Sequence, residues 1–212
     1  MVIDMIMGIL GICGRIGNKL YEKYKDIYTI VGIDINKHSS IKTYKNLNEI
    51  EHLDVLVDFS SPSSKEILID AIKRKIPVLS GTTGYELYEI EELKQLAISL
   101  NTEFFWSCNY ARGIKLFKKL INECNHDFEI FDFVEIHATT KKDKPSGTAR
   151  MLAKELNIDE SKIQSLRLIK APAIHEIIFI SDSERIIIRH EVFDTYAFIE
   201  GFNIELNRVL GW

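Results

Sequence analysis

The segment Gly11-Ile12-Cys13-Gly14-Arg15-Ile16-Gly17 constrains this chain more than any other. The apolar run Met5–Ile12 leads into it, and an amphipathic run over Arg15–Lys25, with Ile16, Leu20 and Tyr24 at helical spacing, leads out. Strand, glycine turn and helix in that order open a βαβ unit. Glycines there permit a tight turn, a close backbone approach to a ligand and close packing of helix on sheet. The helix start aims N–H groups and the positive end of its dipole at phosphates. The next apolar run, Tyr28–Ile35, carries Asp34, 17 residues past Gly17. A carboxylate at the end of a second strand can accept from both ribose hydroxyls of an adenosine. The GxxGxxG spacing alone also fits an α/β turn that holds no nucleotide. The strand, helix and acid around it favour a dinucleotide.

The alternation continues, with strands expected over 54–59, 77–79 and 103–106 and helices over 63–74 and 86–100. Ser63 and Glu66 have the spacing of a capping box. Alternating strands and helices predict a Rossmann-type doubly wound parallel sheet, whose ligands sit at the carboxyl ends of the strands. Three such ends are rich in small and hydroxyl residues: 58–62, Ser80-Gly81-Thr82-Thr83-Gly84 and Ser107-Cys108-Asn109-Tyr110. Thr82 and Thr83 offer donors to a carboxamide or ribose, although each segment also reads as a plain turn.

Beyond residue 108 the pattern changes. A helix is expected over 113–124, a strand over 128–137, a helix over 147–156 and a strand-rich stretch over 164–198, with Ser181-Asp182-Ser183-Glu184 as a hairpin turn. A last helix over 199–210 should return to the first domain. The expectation is a dinucleotide domain of residues 1–108 and 197–212, and a smaller α+β domain of residues 109–196 for substrate binding and oligomerisation.

Composition excludes several classes. The net charge of −4 leaves no overall basic footprint for nucleic acid. Cys13, Cys108 and Cys124 are odd in number and scattered, so neither a disulfide framework nor a metal site is expected, and a reducing cytoplasmic compartment fits. No uncharged apolar run is long enough to span a membrane. The N-terminal run carries Asp4 and lacks a basic start, so it reads as a buried strand rather than a signal peptide.

The chemistry concentrates in Glu135-Ile136-His137-Ala138-Thr139-Thr140-Lys141-Lys142-Asp143-Lys144-Pro145-Ser146-Gly147-Thr148-Ala149. The segment leaves a strand, crosses a basic loop and enters a helix. Ser146, Gly147 and Thr148 open that helix as an anion site, and Lys141, Lys142 and Lys144 surround it with positive charge. His137 stands at the strand exit, where it can give or take a proton near neutral pH. A carboxylate-bearing substrate suits this combination. A solvated basic turn, a polar surface histidine and a good helix start account for the same residues equally well.

The segment also resembles the signature E-x-H-H-x-x-K-x-D-x-P-S-G-T-A of the dihydrodipicolinate reductase family. Glu135, His137, Lys141, Asp143 and Pro145 through Ala149 stand in register with it. The glycine loop resembles that family's G-x-x-G-R-M-G, with Ile16 for Met. VDFSSP, SGTTGY and SCNYARG follow in the expected order, and His175 and His190 are spaced like two late histidines of the family. The resemblance implies hydride transfer from a nicotinamide to a cyclic, unsaturated dicarboxylic imine in lysine and diaminopimelate biosynthesis. It implies His137 as proton donor and acceptor, Lys141 as a second catalytic donor, and Ser146, Gly147 and Thr148 as the carboxylate site. It further implies a cofactor site of Gly11, Ile12, Cys13, Gly14, Arg15, Ile16, Asp34, Gly81, Thr82, Thr83, Ser107, Cys108, Asn109 and Tyr110, and a homotetramer built through the second domain's sheet.

Ile177, Phe179, Ile186 and Ile188 are candidates to cover that interface, or else an ordinary sheet face packed on its own helices. Departures from the family pattern fall on the substrate side: Ala138 for the second His, Thr195 for an Arg, and Ile174-His175-Glu176 for Glu-His-Thr. Asp34 would face a 2′-phosphate with like charge, so NADH is preferred, with NADPH also admitted. Two rival readings are an oxidoreductase on another carboxylated imine and an NAD-binding regulatory protein that has lost catalysis.

Overall fold

The computed structural model describes residues 5–212, the Phe131 side chain excepted; Met1–Asp4, including the Asp4 used above, lie outside the described residues. Two compact units emerge, Met1–Cys108 with Asn203–Trp212, and Asn109–Phe202.

The first unit holds a six-stranded sheet of β1 (Ile6–Leu10), β2 (Thr29–Ile33), β3 (Thr43–Tyr44), β4 (Val55–Asp58), β5 (Val78–Ser80) and β6 (Phe104–Trp106), in the order β3-β2-β1-β4-β5-β6. Every pairing is parallel, as βαβ crossovers require. Four of β1's five residues and all of β4 are buried, the mark of strands covered on both faces. The helices α1 (Arg15–Tyr24), α2 (Lys65–Lys73) and α3 (Leu87–Ser99) supply the cover. Leu68, Ala71 and Ile72 of α2 and Ile90, Leu93 and Ala97 of α3 join Leu56 and Val78 in one apolar core. The short β3, which pairs with β2 only at Gly32 and Ile33, carries too few residues to show a period in sequence.

The Ser63–Glu66 capping box does not form. Pro62–Ser64 is a 3₁₀ turn and α2 begins at Lys65 without a side-chain cap, because Pro62 sets a tighter turn ahead of the helix. The first helical turn of α3 instead carries a reciprocal bond, with Glu86 N donating to Glu89 Oε2 at 3.0 Å.

The second unit is a four-stranded sheet of β7 (Glu129–Ala138), β8 (Ile163–Leu168), β9 (Ala173–Ile180) and β10 (Arg185–Val192), in the order β10-β9-β7-β8. β7 pairs with β8 in parallel and with β9 antiparallel; β9 and β10 form a hairpin closed by Ser181 N donating to Glu184 O at 2.9 Å. The helices α4 (Arg112–Asp127) and α5 (Gly147–Glu155) cover one face. Register places Ile163, Phe133, Ile177 and Ile188 in one row across that face, packed on Ile114, Phe117 and Ile121 of α4 and Leu152 of α5.

This decides one open alternative, in favour of an ordinary sheet face packed on its own helices. Ile177 and Phe179 are 0% exposed, and Ile186 and Ile188 pack on the same core, so these four do not cover an outer interface. Side chains alternate along a strand, so the outer face belongs to the residues between them: Leu166, Leu168 and Ile187 are exposed there, with Val134, Ile136 and Ile178 half-buried.

The last helix, α6 (Tyr196–Val209), starts three residues earlier than expected, after Asp194 accepts a bond from Tyr196 N at 2.7 Å. From Asn203 onward the chain belongs to the first unit, where Tyr24 Oη donates to Asn203 Oδ1 at 2.9 Å. Among the described residues no helix is long and apolar enough to cross a membrane.

Candidate active site

In the first unit the glycine loop sits where strand order reverses, between β1 and β4. Gly11 adopts φ +81°, and a Cβ there would lie 2.5 Å from the Phe59 carbonyl oxygen. A Cβ on Gly17 would lie 2.2 Å from the Gly11 carbonyl oxygen, so α1 packs onto the loop only with glycine at that position. A cavity of about 320 Å³ opens above, lined by Gly11, Cys13, Gly14, Asp34, Lys45 and Ser60 among others. Ile12 is buried beneath it, while Arg15 is exposed and Ile16 half-buried on α1, outside the lining. The Asp34 carboxylate accepts from Cys13 N at 3.1 Å and Asn36 N at 2.9 Å. It therefore ties the glycine loop to the end of β2 while lining the cavity.

The neighbouring strand ends are joined by a buried acid. Asp58 is 0% exposed and accepts from Ser60 Oγ at 2.5 Å and Ser80 Oγ at 2.6 Å. Burial pushes its carboxyl up, against the hydroxyls that favour the ionised form. Thr82 is buried within the same network, its Oγ1 accepting from Ser60 N at 2.9 Å, whereas Thr83 is exposed and Gly81 half-buried. Ser107 N donates to Ser80 O at 3.1 Å, and Cys108 ends this part of the unit. Asn109 and Tyr110 belong to the second unit. Asn109 Nδ2 donates to Thr148 Oγ1 at 3.2 Å, and the buried Tyr110 ring meets Phe202 edge-on. The run Ser107–Tyr110 thus divides between the units. The three cysteines form no disulfide.

In the second unit, the sheet face that is apolar at one end becomes polar at the other. One step along from the Phe133 row, Ser165, Glu135, His175 and His190 lie side by side on four strands. One step further, His137 pairs with Arg167. Glu135 is 0% exposed. Its Oε1 accepts from Ser146 N at 3.1 Å and Arg167 Nη2 at 2.9 Å, and its Oε2 lies 3.1 Å from His137 Nε2 without hydrogen-bond alignment. Burial alone would raise the Glu135 carboxyl. The groups of His137, Ser146, Ser165 and Arg167 outweigh burial and hold it well below the usual carboxylate range. His175, edge-on to His137 at 5.4 Å between centroids, is pushed down to about 3 by burial and then by its neighbour's charge, so its ring is neutral.

The basic loop that follows β7 folds back over this row. Ser146 caps α5, with its Oγ accepting from Ala149 N at 3.2 Å. Gly147 N donates to Asp143 Oδ2 at 3.2 Å, and Lys141 Nζ lies 2.8 Å from Asp143 Oδ1. Burial raises Asp143, but Lys141 and the Gly147 N–H lower it further, so it is held below the usual range. A carboxylate therefore already bridges the two donors that the sequence assigns to a substrate. Thr148 is buried and half-committed to Asn109. Lys142 and Lys144 are exposed. At the two positions that depart from the pattern, Ala138 is half-buried and Thr195 Oγ1 donates to Asp194 Oδ1 at 3.4 Å, so neither supplies a cation.

Two residues carry more than their sequence context suggests. Arg167 was not singled out, and Glu135 served only as part of a motif. The alternation Ile163-Ser165-Arg167 on β8 turns a charge inward at the strand end, but only the pairing with β7 reveals what it meets. Glu135, His137 and His175 offer ligand atoms within 4.8 Å of one another, a donor set that a divalent cation could use. The Arg167 guanidinium already pairs with the same carboxylate and opposes a second positive charge there.

Comparison with known proteins places the whole chain in one family. The family model for dihydrodipicolinate reductase, N-terminus, matches residues 5–110, and that for dihydrodipicolinate reductase, C-terminus, matches residues 113–209. The 4-hydroxy-tetrahydrodipicolinate reductase of Rickettsia canadensis is 33% identical over 218 residues, covering 92% of this chain and 88% of the relative. That of Sulfurimonas denitrificans is 28% identical over 230 residues, covering 92% and 89%. Among solved structures, a dipicolinate-bound dihydrodipicolinate reductase from Paenisporosarcina sp. TG-14 shares the fold, with a TM-score of 0.77 at 19% identity over 98% of this chain and 95% of that one. Aspartate dehydrogenase from Thermotoga maritima shares it more loosely, with a TM-score of 0.59 at 13% identity over 98% and 97%. The chain belongs to the dihydrodipicolinate reductase family.

Proposed function

We propose that the chain reduces 4-hydroxy-tetrahydrodipicolinate, after loss of water, to tetrahydrodipicolinate in lysine and diaminopimelate biosynthesis. The observation that carries this reading is the carboxylate of Asp143 seated between Lys141 Nζ and Gly147 N. A site that holds its own carboxylate this way is built to hold a substrate's. Bound NADH supplies the hydride. Lys141 and the start of α5 bind and orient a ring carboxylate, a positioning effect. His137, 3.1 Å from the buried Glu135 carboxylate, delivers a proton to the atom that gains negative charge, and the Lys141 ammonium stabilises that charge.

The first unit is the dinucleotide domain and the second the substrate domain in this reading. Asp34, whose carboxylate lines the cavity of the glycine loop, favours the ribose hydroxyls of NADH over the phosphate of NADPH. A kcat/KM with NADPH equal to or above that with NADH would contradict this. Cysteines without disulfides fit a reducing, cytoplasmic compartment. The exposed Leu166, Leu168 and Ile187 on the outer face of the second sheet suit a homotetramer, against which a monomeric mass by light scattering would count.

The test is NADH oxidation on a panel of carboxylated imines. Turnover on freshly generated 4-hydroxy-tetrahydrodipicolinate alone is the expected result. Turnover only on another imine, or tight NADH binding with no turnover at all, would replace this function with one of its rivals.

A further inference from the structure

We propose that Arg167 is a positioning residue, whose guanidinium, anchored on buried Glu135, holds the 139–146 loop in the shape that presents Lys141 and the start of α5 to a carboxylate. The inference rests on the function proposed above. From the end of β8, where its Nη1 also donates to the neighbouring Leu166 carbonyl at 2.7 Å, one side chain reaches three acceptors beyond its own strand. Nη2 donates to Glu135 Oε1 at 2.9 Å and to the Asp143 carbonyl, and Nε donates to the Lys141 carbonyl at 3.3 Å. The same Glu135 Oε1 accepts from Ser146 N at 3.1 Å. The loop is thus fastened at residues 141, 143 and 146, within one turn of the residues that meet substrate.

Each member of this staple needs the others. Glu135 is wholly buried, and a carboxylate there stays ionised only because donors surround it. The loop has no regular structure between β7 and α5, so its ordering costs backbone entropy that these bonds offset. A planar guanidinium can serve diverging acceptors at fixed angles, whereas a lysine ammonium is a single point on a flexible stem. Arg167→Lys therefore keeps the charge beside Glu135 but cannot hold both loop carbonyls.

The experiment is a double-mutant cycle between Arg167→Lys and Lys141→Ala, read as kcat, substrate KM and NADH Kd. Arg167→Lys should raise substrate KM and lower kcat/KM by about tenfold or more, with NADH Kd within about twofold of wild type. In the Lys141→Ala background the same change should cost less than about threefold, because the lysine it positions is gone. A loss under about fivefold in the single variant, or losses that multiply in the double variant, would overturn the proposal. If Arg167→Lys does not fold, Arg167→Met with Glu135→Gln removes both charges together and carries the same measurement. If the wild type does not reduce 4-hydroxy-tetrahydrodipicolinate, the cycle is read as dipicolinate affinity by calorimetry, judged by the same thresholds. The staple and the proposed reaction then fail separately.

Discussion

The two sheets build their candidate sites by opposite means. The parallel sheet uses backbone: Gly11 at positive φ, Gly17 against the Gly11 carbonyl, and loop N–H groups such as that of Cys13, held by Asp34. The mixed sheet uses side chains standing on its face, with Ser165, Glu135, His175 and His190 in one row and Arg167 and His137 in the next. Backbone sites suit phosphates, which take many N–H groups in any order of side chains. Proton transfer needs particular titratable groups at particular distances, which a rigid sheet face can fix. The difference also appears in the buried acids. Burial raises both, but Asp58 in the first unit stays raised among hydroxyl and backbone donors, while Glu135 in the second is lowered by a donor set that includes the Arg167 guanidinium.

The comparison can be broken most forcefully at the side-chain site. His137→Ala and Lys141→Ala should each lower kcat by about 10²–10⁴-fold while leaving NADH affinity unchanged. Near-wild-type turnover in either would mean that the chemistry lies elsewhere. The backbone site should fail differently. In Gly11→Ala a Cβ would meet Phe59 O at 2.5 Å in a left-handed conformation. NADH Kd should rise by about tenfold or more, with dipicolinate affinity nearly unchanged. Calorimetry with the two ligands checks it, and an unchanged NADH Kd would free the glycine loop from the cofactor.

A smaller effect sharpens the electrostatic contrast. His175 falls from 6.5 in the unfolded chain to about 3 in the fold, so the folded state favours the neutral ring. Its contribution to stability is complete above pH 6.5 and is lost as pH falls toward 3. By pH 5 the loss should be about 2 kcal/mol. Glu135, also lowered, adds a loss in the carboxylate range, whereas the raised Asp58 contributes with the opposite sign, its share shrinking as pH rises. Urea unfolding across that range should show stability falling with acid, and His175→Asn should flatten the curve. An identical slope in the variant would remove His175 from the explanation.

Much of the fold was legible. The βαβ alternation, the Ser181–Glu184 turn and the helix start at Gly147 follow from periodicity and turn chemistry within short windows. So does the glycine loop with Asp34, because its parts lie within one βαβ unit. The second site was legible only as a motif. His137 and Lys141 could be named, but Glu135 and Arg167 meet across two strands that are distant in sequence, and register is not written in either strand alone. The same gap left Ile177, Phe179, Ile186 and Ile188 open between an interface and a face packed on its own helices, and only the fold chose the second. Their strands are apolar on both sides, so alternation did not say which side was inner. The Ser63–Glu66 box failed because a Pro62 turn, rather than the serine, starts the helix.

The division of labour between the two sites is tested most directly by turnover and NADH binding measured together on wild type and His137→Ala. The expected result is NADH oxidation by the wild type on 4-hydroxy-tetrahydrodipicolinate and a loss of about 100-fold or more in the variant, at equal NADH Kd. Equal turnover in the two proteins, or a variant whose loss tracks weakened NADH binding, would contradict it.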